Sequence, residues 1–205
     1  MKDYKTVSVY PIFKRAMYYS DHYVGNVHTL GDAMGRDCYI ASFNAFANQT
    51  SGFMKLFKND GLKNEDWFTF NAEVLAPIDG KVTKIYINPN SNNPGSFIPS
   101  PASSITITRE DGVNIFLGHI KNPLVKEGDE VKEGQVIAYA GNNGCSRSPH
   151  VHIGAWKDDE PLQIEFDLYK MGELVKEVGE IFYVTGMTEE EFLKFNESLA
   201  KEGNE

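Results

Sequence analysis

Cysteine is scarce in this sequence. Cys38 and Cys145 are the two that it contains, and they form no Cys-x-x-Cys pair. Their number and spacing do not by themselves make a disulfide framework, and a soft-metal role is the weaker alternative for them. The two side chains are either both reduced or joined in one bridge, and we expect them to behave as small buried hydrophobic groups.

Long apolar runs and basic clusters are also missing. No stretch approaches the roughly 18 apolar residues that a membrane-spanning helix needs. The first six residues lack the basic-then-apolar layout of a secretory signal. The chain has 29 acidic and 20 basic residues, a net charge of −9, and no cluster of Lys and Arg interleaved with aromatic residues. We therefore expect no membrane span and no nucleic-acid partner.

Apolar residues and turn signals are abundant by comparison. With 41% hydrophobic residues in a chain of 205, a sizeable core can form. Alternating runs separated by Gly-containing turns predict short strands, most clearly a hairpin formed by 104–109 and 113–120. We predict a mainly β fold whose antiparallel strands form a sandwich or barrel-like core. A long loop insertion at 44–71 interrupts it, with a helix-like stretch at 54–57.

The same patterns divide the chain into three parts. Residues 1–27 are predicted to be an N-terminal arm, 28–156 a β domain that contains the insertion, and 157–205 a C-terminal extension. A short helix is predicted at about 188–201 in this extension. It would begin with a capping box formed by Thr188 and Glu191, and apolar residues follow at helical spacing.

The histidines carry most of the functional information. The chain contains five, at positions 22, 28, 119, 150 and 152, and none lies in the last quarter of the sequence. His150 and His152 form a His-x-His pair directly after a turn, and in a strand such residues share one face about 7 Å apart. That spacing lets one imidazole bind a metal while the other faces the same substrate. Two histidines on an exposed strand face would give the same pattern, so the pair alone does not establish a site.

Three motifs occur in order around these histidines. They are Val74-Leu75-Ala76-Pro77-Ile78-Asp79-Gly80-Lys81-Val82, then Gly118-His119-Ile120 followed by Val131-Lys132-Glu133-Gly134-Gln135-Val136-Ile137, then Gly141-Asn142-Asn143-Gly144 leading to Ser148-Pro149-His150-Val151-His152. Together, over about 72–156, they resemble the lysostaphin-like (LytM-type) zinc endopeptidases that cut peptidoglycan cross-links. The resemblance implies the duplicated hybrid motif fold and a bound zinc ion.

The resemblance also implies roles for individual histidines. It makes His152 a zinc ligand and makes His119 and His150 catalytic. The family takes two further ligands from an upstream His and Asp, usually four residues apart, with an apolar strand directly after the Asp.

This sequence departs from the family pattern at the upstream ligands. His28 and Asp32 have the usual spacing, but the residues after Asp32 do not form a strand-like run. Asp37 does precede such a run, yet Ala33 stands four residues before it. We predict His28, Asp37 and His152 as the metal ligands, with Asp32 as the alternative carboxylate.

Two further possibilities remain open at the metal site. His22 is a weaker candidate for the upstream histidine, because it follows Asp21 and precedes a turn-like segment. A broken ligand set would instead make the protein an inactive relative.

By this resemblance the chain is a zinc-dependent endopeptidase that hydrolyses peptide cross-links of peptidoglycan, with two histidines activating a water molecule at the metal. Its partner is then a peptidoglycan peptide. An active wall hydrolase would be extracytoplasmic, in the cell envelope or secreted, although no signal peptide is visible in the sequence.

Two alternative functions come from other classes. One is a catalytically inactive relative that acts as a scaffold or binding module. The other is a phosphocarrier using His119, because 112–120 and the Gly-Asp-x-Val-Lys segment that follows also resemble the glucose-type carrier domain of sugar phosphotransferase systems. The His-x-His pair and the upstream His and Asp favour the peptidase.

Overall fold

The computed structural model describes residues 5–23, 30–41 and 54–177, together with residues 190, 193, 194 and 197. The elements in these residues, in chain order, are β1 (Thr6–Val9), β2 (Met17–Asp21), β3 (Arg36–Ile40), a 3₁₀ turn (Asn64–Asp66), β4 (Glu73–Leu75), β5 (Gly80–Tyr86), β6 (Ser104–Thr108), β7 (Asn114–Gly118), β8 (Ile120–Lys121), β9 (Glu130–Val131), β10 (Val136–Ala140), β11 (Val151–Lys157), β12 (Glu160–Phe166) and α1 (Leu168–Glu177).

Nine of these strands form one sheet that curls into a half-barrel. Its main path runs β1, β12, β11, β7, β6, β5 and β9; β3 also pairs with β11, and β2 pairs with β3. β1 and β12 are parallel, whereas the other pairs are antiparallel. A second sheet contains β4, β10 and β8. The mainly β, barrel-like fold predicted from the sequence is confirmed, and the predicted hairpin forms β6 and β7.

The core packs against one face of the large sheet. In its central strands every second side chain is fully buried, as for Ile105 and Ile107 in β6, Ile115 and Leu117 in β7, and Ile153 in β11. Burying each such side chain contributes about 1.5–3 kcal/mol. Because successive side chains of a strand point to opposite faces, the residues between them are free to build a site on the other face.

Two local predictions about helices need correction. α1 is absent from the elements predicted from the sequence. It begins after Asp167, whose Oδ1 caps the helix by accepting hydrogen bonds from the backbone N–H groups of Tyr169 and Lys170. Residues 54–57 are not helical, since this segment pairs with the backbone around Trp67. No helix in the described part of the chain is long and apolar enough to cross a membrane.

Several other predictions concern parts of the chain that the structure describes only partly. The helix predicted at about 188–201 lies, apart from four residues, outside the described residues, as does the first part of the insertion at 44–71. The domain boundaries after residues 27 and 156 stay predictions, although β1 and β12 extend the same sheet. Both cysteines are free; Cys38 is buried as expected, whereas Cys145 is exposed, which corrects the expectation of a buried thiol.

Candidate functional site

The sheet face opposite the core forms the floor of a cleft of about 1290 Å³. Cross-strand pairing sets side chains on this floor in rows, and one row contains Ser104, Gly118, His152 and Asp37. This row lies where β7 ends, so the next residue, His119, projects from the turn between β7 and β8. The strand pairing therefore brings residues from four distant parts of the sequence to one end of the cleft.

His119 and His150 form a pair at this end of the cleft, with ring centroids 4.4 Å apart. The His119 Nδ1 lies 2.7 Å from the Asn143 carbonyl oxygen, and the His150 Nδ1 lies 2.8 Å from the Ser148 carbonyl oxygen. A carbonyl oxygen can only accept a hydrogen bond, so both Nδ1 atoms carry a proton. When either ring is neutral, its Nε2 is therefore the unprotonated nitrogen, which can accept a proton.

The environment of His119 keeps its imidazole neutral. The side chain is buried and close to His150, and burial, followed by repulsion from His150, lowers the pKa of His119 to about 3. Its backbone has φ of 62°, a left-handed conformation that non-glycine residues adopt mainly at special positions. The chain thus holds a neutral imidazole in an unusual backbone position facing the cleft.

His152 is oriented by hydrogen bonds on both sides of its ring. Its Nε2 lies 2.7 Å from the Gly31 carbonyl oxygen and 3.6 Å from the Asp32 Oδ1. The carbonyl contact assigns the ring proton to Nε2. The other nitrogen, Nδ1, lies 2.8 Å from the Asp37 Oδ1, so this nitrogen faces the carboxylate.

His22 reaches the same carboxylate from the neighbouring strand. β2 pairs with β3 so that Ser20 lies opposite Asp37, and the backbone N–H of His22 donates to the Gly35 carbonyl. The His22 Nε2 lies 3.2 Å from the Asp37 Oδ2. Its buried Nδ1 has no hydrogen-bond partner among the described residues.

Asp37 is therefore the centre of the histidine cluster. Besides His22 and His152, it faces the His150 Nε2 at 3.5 Å. Burial alone would raise the pKa of Asp37, but hydrogen bonds from His150, His152 and His22 outweigh burial and hold the pKa well below its usual range. The hydrogen bond with Asp37 in turn raises the pKa of His22 against the effect of burial. The carboxylate is thus ionised.

Three imidazole nitrogens converge on the ionised Asp37 carboxylate. His150 and His152 each have their other ring nitrogen against a backbone carbonyl, so the nitrogen that faces Asp37 either carries a second proton and donates it to the carboxylate or directs a lone pair towards it. Acceptor groups in such an arrangement repel one another unless a cation lies among them. The site is therefore built to hold a cation, either extra protons or a metal ion.

Four of the five predicted site residues come together in the structure: His119, His150, His152 and Asp37. The fifth, His28, lies outside the described residues. His22, the weaker candidate for the upstream histidine, also lies here: ligand atoms of His22, Asp32 and His152 are all within 4.8 Å of one another. The available signal was the alternation of β2, which puts His22 on the same face as Ser20, opposite Asp37.

The family assignment rests on the matched segment that contains His119, His150 and His152. Residues 65–164 match the model of Peptidase family M23. This segment belongs to peptidase family M23. The lysostaphin-like resemblance seen in the sequence is thereby confirmed, and with it a metallopeptidase fold. We refer to this segment and the strands β1 to β3 that extend its sheet as the M23 domain; the roles of its individual residues stay predictions.

Several solved structures are partly similar to this chain. A zinc-containing peptidase from Vibrio cholerae is 22% identical, with a TM-score of 0.46, over 75% of this chain and 37% of its own. The catalytic domain of the antimicrobial peptidase lysostaphin from Staphylococcus simulans is 21% identical, with a TM-score of 0.42, over 71% of this chain and 83% of its own. A mutant catalytic domain of the M23 protein EnpA from Enterococcus faecalis is 19% identical, with a TM-score of 0.45, over 73% of this chain and 87% of its own.

Proposed function

We propose that the M23 domain is a zinc-dependent endopeptidase that hydrolyses peptide cross-links of peptidoglycan. The observation that carries the proposal is the convergence of three imidazole nitrogens on the ionised Asp37 carboxylate at one end of an open cleft. The substrate class is proposed from the resemblance to lysostaphin-like enzymes, and an enzyme that cuts this substrate acts outside the cytoplasm.

The donor atoms of the cluster suit zinc. Imidazole nitrogens and a carboxylate are its usual ligands, and three protein ligands leave one position open, as in catalytic sites. We assign the ligands as His22, Asp37 and His152. His22 replaces the predicted His28 in this assignment, since its Nδ1 lacks a described partner and its Nε2 already contacts Asp37.

The hydrogen bond between His152 and Gly31 supports Asp37, and not Asp32, as the proposed carboxylate ligand. Histidine ligands of metals usually donate their second ring N–H to a carbonyl or carboxylate, which orients the ring. The His152 Nε2 does this with the Gly31 carbonyl, so the metal-binding nitrogen is Nδ1, on the side of Asp37. Asp32 lies beside the nitrogen that carries the proton. Asp37 is therefore favoured over Asp32 as the ligand.

The two remaining histidines supply proton transfer. Zinc bound here would polarise the scissile carbonyl and make water a stronger nucleophile at neutral pH. His119 is neutral, and its Nε2 takes the proton of the attacking water. His150, beside Asp37, stabilises the developing oxyanion when its Nε2 carries a proton, and His119 returns the proton taken from water to the leaving amine. At 8% exposure, His119 is poorly placed to receive a phosphoryl group from a partner protein, which disfavours the phosphocarrier alternative.

His119→Asn tests the assigned base. Asn tolerates the left-handed backbone at this position better than most residues, so the fold should be kept. We expect kcat to fall about 10²- to 10⁴-fold, while the zinc content stays at the wild-type level because His119 is not a ligand. Steady-state kinetics and metal analysis of the same preparation check both statements. A loss of zinc together with activity would contradict the assignment.

The function itself is tested on purified cross-linked peptidoglycan. Zinc-loaded protein should release new amino groups without releasing reducing sugar ends, and mass spectrometry of the products identifies the bond that is cut. Protein stripped with a chelator should be inactive and should recover when zinc is restored. Absence of new amino groups at any zinc concentration would refute the peptidase proposal.

A further inference from the structure

Arg147 occupies a distinctive position in the cleft. It lies three residues before His150, so its Cα is at most about 11 Å from that of the histidine. Its side chain lines the cleft, and its guanidinium carbon lies 5.2 Å from the centroid of the Phe97 ring. Stacking of this kind restricts an otherwise flexible side chain and leaves the edges of the guanidinium free to donate hydrogen bonds.

The backbone around Arg147 is also fixed. The Arg147 carbonyl accepts a hydrogen bond of 2.8 Å from the Gly95 N–H. The Asn92 amide donates to the Gly144 and Ser146 carbonyls at 2.8 and 2.7 Å. The loop that carries Phe97 is therefore hydrogen-bonded to the turn that carries Arg147, and together they form one wall of the cleft.

The charge of Arg147 is not neutralised within the part of the chain that the structure describes. Four charged side chains other than histidine line the cleft: Asp32, Asp37, Lys84 and Arg147. The two aspartates lie against His152, and no ion pair in the described residues involves Arg147 or Lys84. A positioned, unpaired guanidinium is unusual in a chain whose acidic residues outnumber its basic ones, 29 to 20.

We propose that Arg147 is a specificity-determining residue that binds a carboxylate of the substrate peptide within a few residues of the scissile bond. The inference rests on the proposed function, because the scissile bond lies beside Arg147 only if the histidine cluster is the peptidase site. A guanidinium held on an aromatic ring presents paired N–H donors that match the two oxygens of a carboxylate. A substrate amide of the same size has only one oxygen and no charge, so it binds this guanidinium less well. The M23 domain therefore selects an anionic peptide.

Equilibrium binding of matched peptides tests the inference. One pair is acetyl-pentaglycine with a free C-terminal carboxylate or a C-terminal amide. The other is the amidated peptide with its central glycine replaced by Glu or by Gln. Zinc-loaded wild type should bind the acidic member of at least one pair about 10- to 100-fold more tightly. In Arg147→Gln this preference should fall to less than threefold.

Two further variants show whether the effect belongs to Arg147. Arg109→Gln makes the same charge change at a residue that pairs with Asp111 and does not line the cleft, and it should keep the preference. Lys84→Gln removes the other free cation of the cleft and should also keep it. The inference is overturned if wild type binds the two members of each pair equally or binds none of the peptides. It is also overturned if the preference survives Arg147→Gln or is lost with Lys84→Gln.

Hydrolysis is measured on the same peptides in parallel. Selective binding without cleavage would count against the proposed peptidase and leave the Arg147 inference standing. Cleavage without selective binding would support the proposed peptidase and overturn the Arg147 inference.

Discussion

Asp37→Asn is expected to remove zinc from the M23 domain and to abolish its peptidase activity. The amide keeps the shape of the side chain but loses the negative charge, and Asp37 contacts His22, His150 and His152. Wild-type protein at free zinc about 1,000 times Kd should gain about 4 kcal/mol of stability from binding. For a chain of this size that corresponds to a rise in Tm of roughly 8–16 °C, and Asp37→Asn should show almost none of it.

Asp32→Asn is the matched control for this prediction. It makes the same chemical change beside the same histidine, but next to the ring nitrogen that donates to Gly31. We expect it to retain the zinc-dependent rise in Tm and most of the activity. Thermal unfolding with and without zinc compares the two variants directly, and a reversed result would assign the carboxylate ligand to Asp32.

Gly154→Ala is expected to destabilise the fold and weaken metal binding together. Gly154 lies in β11 two residues after His152, and a Cβ at this position would overlap the Gly31 carbonyl. The segment that contains Gly31 would have to move away from the sheet, at a cost of about 3 kcal/mol. The displacement also breaks the hydrogen bond that orients His152, and loss of such a bond typically lowers metal affinity 10- to 100-fold.

Two measurements check the Gly154 prediction. Tm of the metal-free protein should fall by roughly 6–12 °C, and zinc affinity measured by competition with a chelator should fall at least tenfold. Gly172→Ala is the control, because a Cβ there meets no described atom within 4 Å and alanine favours the helix. Wild-type zinc affinity in Gly154→Ala would show that Gly31 does not orient the ligand.

The fold was predictable because its signals are local. Alternating apolar residues in β6 and β7, separated by a Gly-containing turn, specify a hairpin and its buried face without any knowledge of distant contacts. α1 was missed because its start depends on one capping side chain, Asp167, directly after a strand. Residues 54–57 were assigned wrongly because pairing with a distant segment outweighed a weak helical pattern.

The candidate site was predictable where its residues lie in dense motifs, and less so elsewhere. His119, His150, His152 and Asp37 each lie at the end or start of a recognisable strand, and the structure brings them together. His22 is harder to place from the sequence, because alternation along β2 gives its face but not the partner strand, and its relation to Asp37 arises from the pairing of β2 with β3. The same holds for Gly31, whose carbonyl contacts a residue 121 positions away.

The central claim is that His22, Asp37 and His152 bind one zinc ion, and the most direct test is the zinc content of wild type, His22→Ala and His28→Ala purified without a histidine tag. We expect close to one zinc per chain in wild type and in His28→Ala, because both keep the three proposed ligands. We expect almost no zinc in His22→Ala. Zinc retained by His22→Ala but lost from His28→Ala would contradict the assigned ligand set. No zinc in wild type, even after zinc is added back at neutral pH, would contradict the metal site altogether.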